Sequence, residues 1–258
     1  MTESSPYKYL PVGATFEDYQ RSREAKADMI VRVLEHHMGE LTGKSMLDLG
    51  CNDGHITRYL SAKFRESTGS DIDPEIVEIA KEKHAGTGIS FLVNDSFSLP
   101  FTDARFDVVV ANHVFYYCHE PVRMAEEIYR VLKPGGVCYL AITNGMFTKW
   151  YAKSPTRMRE FLISITLRGA ADVGVPRTGL EYREILRKFR IHDFTYDILK
   201  SPEKFQHEAR GWQGLVLSFI HRLPSRLIKR VSMFSPTLIY LAEKDAASAN
   251  PRTFGATL

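Results

Sequence analysis

Apolar residues recur at helical spacing from Phe16 to about Met38, with Ala25, Met29, Ile30, Val33 and Leu34 along one stripe, and an amphipathic helix is expected there. Gly39 stops it. From Ser45 the pattern changes to short apolar runs alternating with helical stretches, the signature of βαβ units and a parallel sheet. Strands are expected at Ser45–Leu49, Thr68–Ile72, Ile89–Val93, Phe106–Ala111 and Val137–Thr143, and helices at His55–Phe64, Pro74–His84 and Pro121–Leu132. The run FDVVVA at Phe106–Ala111 is rich in β-branched residues and reads as a buried central strand. Beyond Asn144 come about 35 residues of mixed character, then a helix at Leu180–Phe189 and a strand near Ile191–Leu199. A helical stretch at Glu203–Met233, which Pro224 interrupts, and a last strand at Thr237–Ala242 complete the pattern. The first 15 residues, with Pro6 and Pro11, read as loop, and the polar, Ala-rich C-terminal end as frayed.

Composition narrows the class. In 258 residues, 44% are hydrophobic and 25% charged, ordinary soluble globular usage that excludes collagen-like, low-complexity and wholly disordered chains. No apolar run approaches the ~20 residues of a bilayer span, and Met1–Pro11 lacks the layout of a secretory signal, so a cytoplasmic protein is expected. Cys51, Cys118 and Cys138 are odd in number, far apart and without a CxxC pair or a histidine at zinc spacing. They read as reduced thiols, and no metal is expected.

The most informative segment is MLDLGCNDG at Met46–Gly54, glycines and acids placed directly after a strand and before a helix. A dinucleotide fingerprint fails there, because its glycine positions counted from Gly50 fall on Asn52 and His55. A P-loop fails as well: Gly43-Lys44-Ser45 precedes the strand, and its required first glycine falls on Met38. Asp48, Gly50, Asn52 and Gly54 instead resemble motif I, D/E-x-G-x-G-x-G, of the class I S-adenosyl-L-methionine (SAM) dependent methyltransferases, with asparagine at the middle glycine. Asparagine tolerates the left-handed backbone that position needs.

Later signposts follow in the family's order. Asp71 ends the second strand in GSDID, NDSFSLPFTDARFDVVVAN leads into the fourth, and EIYRVLKPGG at Glu127–Gly136 precedes the fifth. The resemblance, to a methyltransferase type 11 or quinone-biosynthesis-like core, spans about residues 40–144. It implies a Rossmann-like α/β fold: a seven-stranded, mostly parallel sheet with the last strand antiparallel, helices on both faces and added helical cap segments. It divides the chain into an N-terminal helical lid at 1–40, a SAM-binding core at 41–144, and an acceptor cap with the last strands at 145–258.

The resemblance also implies SAM as cofactor, with S-adenosyl-L-homocysteine as product. Its site would be built from Asp48, Gly50, Cys51, Asn52, Gly54, Asp71, Ile72, Asp95, Ser96 and Asn112, with Asp71 on the ribose hydroxyls, Ile72 against adenine and Asp95 near the adenine amino group. Asp107 and Pro134-Gly135-Gly136 read as architectural.

The acceptor is less legible. His113 follows the fourth strand directly and is the candidate general base, since an ordinary imidazole is neutral at cell pH and accepts a hydroxyl proton. His119 is second to it. Tyr116-Tyr117 stands where many relatives carry Glu-His, so no base carries over from that position. The order Asn112-His113-Val114-Phe115 departs from the N/D-P-P-Y/F of amino methyltransferases acting on adenine or glutamine, so no nucleic-acid partner is expected.

Charge is unevenly divided. Residues 1–144 hold 15 Lys+Arg against 21 Asp+Glu, whereas 145–233 hold 17 against 8. The basic stretch reads as a lid over a small-molecule acceptor, anionic or lipid-linked, with a solvated helical surface or a peripheral contact with an anionic membrane surface as the other readings. O-methylation of a hydroxyl on a small-molecule or lipid- or glycan-linked acceptor is the expected reaction. The alternatives are C-methylation of the quinone-biosynthesis kind and a SAM-binding partner protein without transfer activity.

Overall fold

A computed structural model describes residues 16–145, 175–200, 222–232, 235 and 237–246. In chain order the elements are α1 (Phe16–Met38), β1 (Ser45–Leu49), α2 (His55–Ser61), β2 (Glu66–Asp71), α3 (Pro74–Lys83), β3 (Ser90–Val93), β4 (Phe106–Asn112), α4 (Pro121–Val131) and β5 (Leu132–Thr143). They continue with α5 (Gly179–Ile185), β6 (Arg190–Asp193), α6 (Thr195–Lys200), α7 (Ser225–Ser232) and β7 (Thr237–Glu243). Among the described residues no helix is long and apolar enough to cross a membrane.

The seven strands form one sheet in the order β3-β2-β1-β4-β5-β7-β6. The first five pair in parallel, and β7 runs antiparallel to both β5 and β6. Strand order reverses between β1 and β4, the switch point outside which open α/β sheets bind ligands at the carboxyl edge. Alternating residues feed two cores, one on each face. On one, Ile30, Val33 and Leu34 of α1 meet Met46, Val108, Tyr139 and Leu241; on the other, Met124 and Ile128 of α4 and Tyr182 of α5 meet Leu47, Val109, Leu140 and Tyr240.

Two expectations are corrected. The strand near Ile191–Leu199 ends at Asp193, because the Asp193 carboxylate accepts the Thr195 N–H (3.1 Å) and turns the chain into α6. Thr195 Oγ1 then accepts the Ile239 N–H (2.9 Å), which holds that turn to β7. The strand expected from Val137 begins at Leu132, and Pro134–Gly136 is a bulge within it: the register passes from Phe106↔Leu132 to Val108↔Val137. Gly135, at φ 75°, donates to the Lys244 carbonyl (2.8 Å). Helix α7 begins directly after Pro224, as expected of that residue. All three cysteines are free and buried.

Candidate active site

The loop from β1 to α2 is a tight left-handed turn. Gly50, Asn52 and Gly54 all have positive φ, at 68°, 51° and 74°, so the asparagine does adopt the conformation that glycine usually supplies. A Cβ on Gly50 would lie 2.5 Å from Val114 Cγ2, and one on Gly54 would lie 2.8 Å from the His84 and Phe91 rings. These two glycines let the loop sit flat against the segment after β4 and against α3.

Hydrogen bonds tie the loop to β2. Cys51 N–H donates to the Ser70 carbonyl (2.9 Å) and Asn52 N–H to Asp71 Oδ2 (2.9 Å), while Asp73 N–H donates to Asp71 Oδ1 (3.2 Å). Each Asp71 oxygen thus holds one backbone donor and retains acceptor capacity for hydroxyls. Ile72, next along, is 68% exposed, an apolar side chain free at the edge of the sheet. The Asn52 side-chain oxygen accepts the Asp53 N–H (2.7 Å).

Asp48 is buried under the turn and accepts the Thr57 hydroxyl at 2.6 Å. Burial pushes its carboxyl up to about 7 against the lowering pull of that bond, and the neighbouring Asp71 charge adds to the rise. Burial also pushes the Cys51 thiol up, so it is an inert wall rather than a nucleophile. Asp48, Gly50, Cys51, Asn52 and Asn112 line one small cavity of about 30 Å³ together with Asp53, Ile56 and Arg23.

The other expected contacts lie outside that cavity. Gly54 caps α2. Asp95 is exposed and accepts the Phe97 N–H (2.9 Å), and Ser96, buried at φ 65°, donates its N–H to Asn94 Oδ1 (2.6 Å). Asn94 in turn donates its N–H to the Asp71 carbonyl (2.9 Å), which sets this turn beside the end of β2. His119 is exposed.

His113 stands at the carboxyl end of β4 with φ 62°, its N–H bonded to the Ala141 carbonyl (2.8 Å). Burial holds its ring down to about 4, with the Lys26 and Arg23 charges lowering it further. The ring is neutral at cell pH, but it is a weaker proton acceptor than the ordinary histidine expected there. Lys26 is itself held down to about 8 by burial and by Arg23, and no acid among the described residues pairs with it.

Helix α1 contributes residues that the sequence reading passed over. Tyr19, Arg23 and Lys26 follow one another at i, i+4 and i+7, one face of the helix. Tyr19 donates to Asp53 Oδ1 (3.2 Å), the Arg23 guanidinium lies 4.8 Å from the Tyr19 ring centre, and Lys83 reaches Asp53 Oδ2 at 2.8 Å. Burial opposes ionisation of Asp53, yet Lys83, the His55 N–H and Tyr19 together hold its carboxyl below the usual range. The spacing is present in the sequence, but a helix recognised by its apolar stripe gives no sign of what its polar side chains meet.

Of the basic stretch, most of the expected lid and the first part of the second helical stretch fall in 146–174 and 201–221, outside the described residues. Arg177 is described and is not a lid charge: it is buried and donates to the carbonyls of Phe115 (3.1 Å) and Cys118 (2.8 Å), fixing the segment after β4. Asp107 is architectural. It accepts from the Ser45 backbone (2.8 Å) and hydroxyl (2.8 Å) and from Lys133 (2.6 Å) at the amino edge, opposite the cavity.

With this geometry in hand, comparison with known proteins is decisive for the core: residues 47–140 match the methyltransferase domain profile. That segment is a methyltransferase domain of the class I SAM-dependent family. The malonyl-[acyl-carrier protein] O-methyltransferase of Pectobacterium atrosepticum is 34% identical over 100 residues, 39% of this chain and 39% of that protein. The demethylmenaquinone methyltransferase of Lactococcus lactis is 40% identical over 105 residues, 38% of this chain and 42% of that protein. The matched stretch spans about two fifths of the length of these relatives.

Among solved structures, the putative methyltransferase in complex with the Haloferax volcanii Trm112 methyltransferase activator superposes with a TM-score of 0.57 at 22% identity, covering 88% of this chain and 94% of that one. A geranyl diphosphate methyltransferase in complex with SAM gives 0.55 at 14% identity, covering 89% and 88%. These likenesses extend the shared fold well beyond the matched domain.

The site's donor set suits SAM: a carboxylate with spare acceptor capacity at Asp71, an exposed apolar side chain at Ile72, and a turn whose glycines leave its backbone uncovered by side chains.

Proposed function

We propose that this chain transfers the SAM methyl group to an oxygen of a small or carrier- or lipid-linked acceptor, and that this oxygen carries negative charge as it reacts. When bound, SAM supplies a methyl group made electrophilic by its sulfonium. The chain's task is then alignment and exclusion of water more than chemistry. Asp71 takes the ribose hydroxyls, Ile72 and the turn at Asp95–Ser96 take the adenine, and Gly50, Cys51, Asn52 and Asn112 flank the methionine end.

The observation that carries the charge assignment is the pairing of Arg23 and Lys26 beside His113 at the end of β4, with no acid among the described residues on Lys26. Burial first, and then the Arg23 charge, disfavour the Lys26 ammonium, and an anionic oxygen beside it offsets both. His113 is the positioning partner. Held at about 4, it serves as a hydrogen-bond acceptor at cell pH. Accepting a proton from a hydroxyl would cost it roughly 3 kcal/mol more than an ordinary histidine pays.

The cavity of about 30 Å³ has room for about two waters, and Arg23 of α1 is part of its wall. We read the N-terminal helix as a lid that yields when SAM is seated, which the Arg23 side chain in the cavity wall supports.

The test is methyl transfer from labelled SAM to a panel of carboxylates, phenols and neutral alcohols, free and carrier-linked, read by mass. Transfer to oxygen of the acidic members is expected. Methylation at carbon alone would favour the quinone-type reaction, and SAM binding without turnover on any acceptor would favour a partner protein; either result overturns the assignment.

A further inference from the structure

At the far edge of the sheet from the cavity, three metal-ligand side chains from distant parts of the sequence converge. Glu243 ends β7, where the register sets it beside Val137 of β5 and opposite Arg190 of β6. His192 lies on β6 and His37 in the last turn of α1. Glu243 Oε2 is 2.7 Å from His192 Nε2 and 3.5 Å from His37 Nε2, and the two imidazole rings are 4.4 Å apart, tilted by 56°. One ligand atom from each side chain lies within 4.8 Å of the other two. The three side chains are between 21% and 31% exposed, open enough for an ion to enter and covered enough to hold it.

We propose that His37, His192 and Glu243 form a binding site for a divalent transition-metal ion of the zinc type. Two imidazoles and one carboxylate are a borderline-soft N/O set that suits such an ion rather than calcium or magnesium, and a solvent molecule completes four-coordination. Metal–ligand bonds of roughly 2.0–2.2 Å in a tetrahedron set neighbouring ligand atoms a little over 3 Å apart. The His37–Glu243 separation already meets this, and His192 must retreat from Glu243 by roughly 0.6–0.9 Å.

Among the described residues, the neighbouring cations and rings are engaged elsewhere. The Lys244 amine is turned away onto the carbonyls of Tyr129 (2.8 Å) and Leu132 (2.7 Å), and the His36 ring meets Phe194. Arg190, opposite Glu243 in the register, is exposed.

The role follows from position. The helix that presents Tyr19 and Arg23 to the cofactor cavity ends at this site roughly 20 Å away, at 1.5 Å per residue. Strand β6 is the sheet edge, joined only to β7. An ion here staples the foot of α1 to the two strands that complete the sheet, and it takes no part in methyl transfer.

The experiment is calorimetric titration of the chelator-stripped full chain with Zn²⁺ alone, followed by Co²⁺ absorption spectroscopy and thermal unfolding. Saturable binding of one ion per chain, visible bands of tetrahedral Co²⁺ and a raised Tm are expected. Affinity should fall at least about tenfold in His192→Ala and in Glu243→Gln. These two substitutions lie at the sheet edge and spare α1, so folding can be verified by circular dichroism before titration. Absence of saturable binding, binding that survives both substitutions, or a thiolate-to-cobalt band would overturn the proposal and leave the cluster a hydrogen-bonded contact.

Discussion

Two side chains carry the functional reading, and each yields a measurement. Asp71 already holds the Asn52 and Asp73 N–H groups, so Asp71→Ala removes both a ribose acceptor and a brace of the turn. SAM affinity should fall by about 1.5–3 kcal/mol, the scale of hydrogen bonds to a charged group, and calorimetry would check it; an unchanged Kd would remove Asp71 from the site. Lys26 sits at about 8, so its ammonium is present below that pH and is lost as pH rises through it. If the ammonium draws an anionic acceptor, kcat/KM should decline above about pH 8 through a rise in KM, because kcat/KM reports groups of the free enzyme. Lys26→Met should start from the higher KM and lack that limb. A wild-type profile flat from pH 7 to 9 would show that Lys26 does not meet the acceptor. His113 illustrates why residue identity alone misleads. Its place after the fourth strand was legible, but its proton affinity is set first by burial and then by Lys26 and Arg23, which approach from a helix some 90 residues earlier.

At the scale of elements, the alternation of short apolar runs with helical stripes placed β1, β4, α1 and α3 within a residue or two, because each has one period and an unambiguous stop. Where the reading slipped, side chains were redirecting the backbone. Asp193 and Thr195 turn the chain out of β6, and the bulge at Pro134–Gly136 lets β5 begin five residues early, neither of which hydrophobic periodicity can register. Strand β5 also carries a cost that only packing reveals. Tyr139 is fully buried at the centre of the sheet, and its hydroxyl has no hydrogen-bond partner among the described residues. Tyr139→Phe should therefore be neutral or stabilising by about 1 kcal/mol, since it removes an unsatisfied polar group while keeping the ring. Urea unfolding will decide; a loss above about 1 kcal/mol would mean the hydroxyl is satisfied in solution. By contrast Leu34→Ala, on the buried stripe of α1, should cost about 2–5 kcal/mol by opening a cavity against the sheet.

Across the whole molecule the sheet separates labour between its edges, and pH should expose the division. At the amino edge Asp107 is bound by Ser45 and Lys133, and although burial opposes its ionisation these partners hold its carboxyl below the usual range. A depressed carboxyl contributes stability above the unfolded value near 4 and loses it as pH falls below, because the unfolded chain then binds more protons. At the carboxyl edge Asp48 has the opposite sign. Raised to about 7 by burial, it keeps its proton in the folded state while the unfolded chain releases it near pH 4. Stability should thus decline as pH rises from about 4 to 7 and level off above. Asp48→Asn keeps the shape beside Thr57 but cannot ionise, so denaturant unfolding across this window should lose that slope and gain stability at pH 8. Asp107→Asn should instead lower stability by about 1.5–3 kcal/mol at neutral pH and leave the SAM Kd unchanged, since Ser45 and Lys133 lie at the edge opposite the cavity. Were Asp107→Asn to weaken SAM binding tenfold at equal stability, or Asp48→Asn to leave the pH slope intact, the separation of a supporting edge from a working edge would fail.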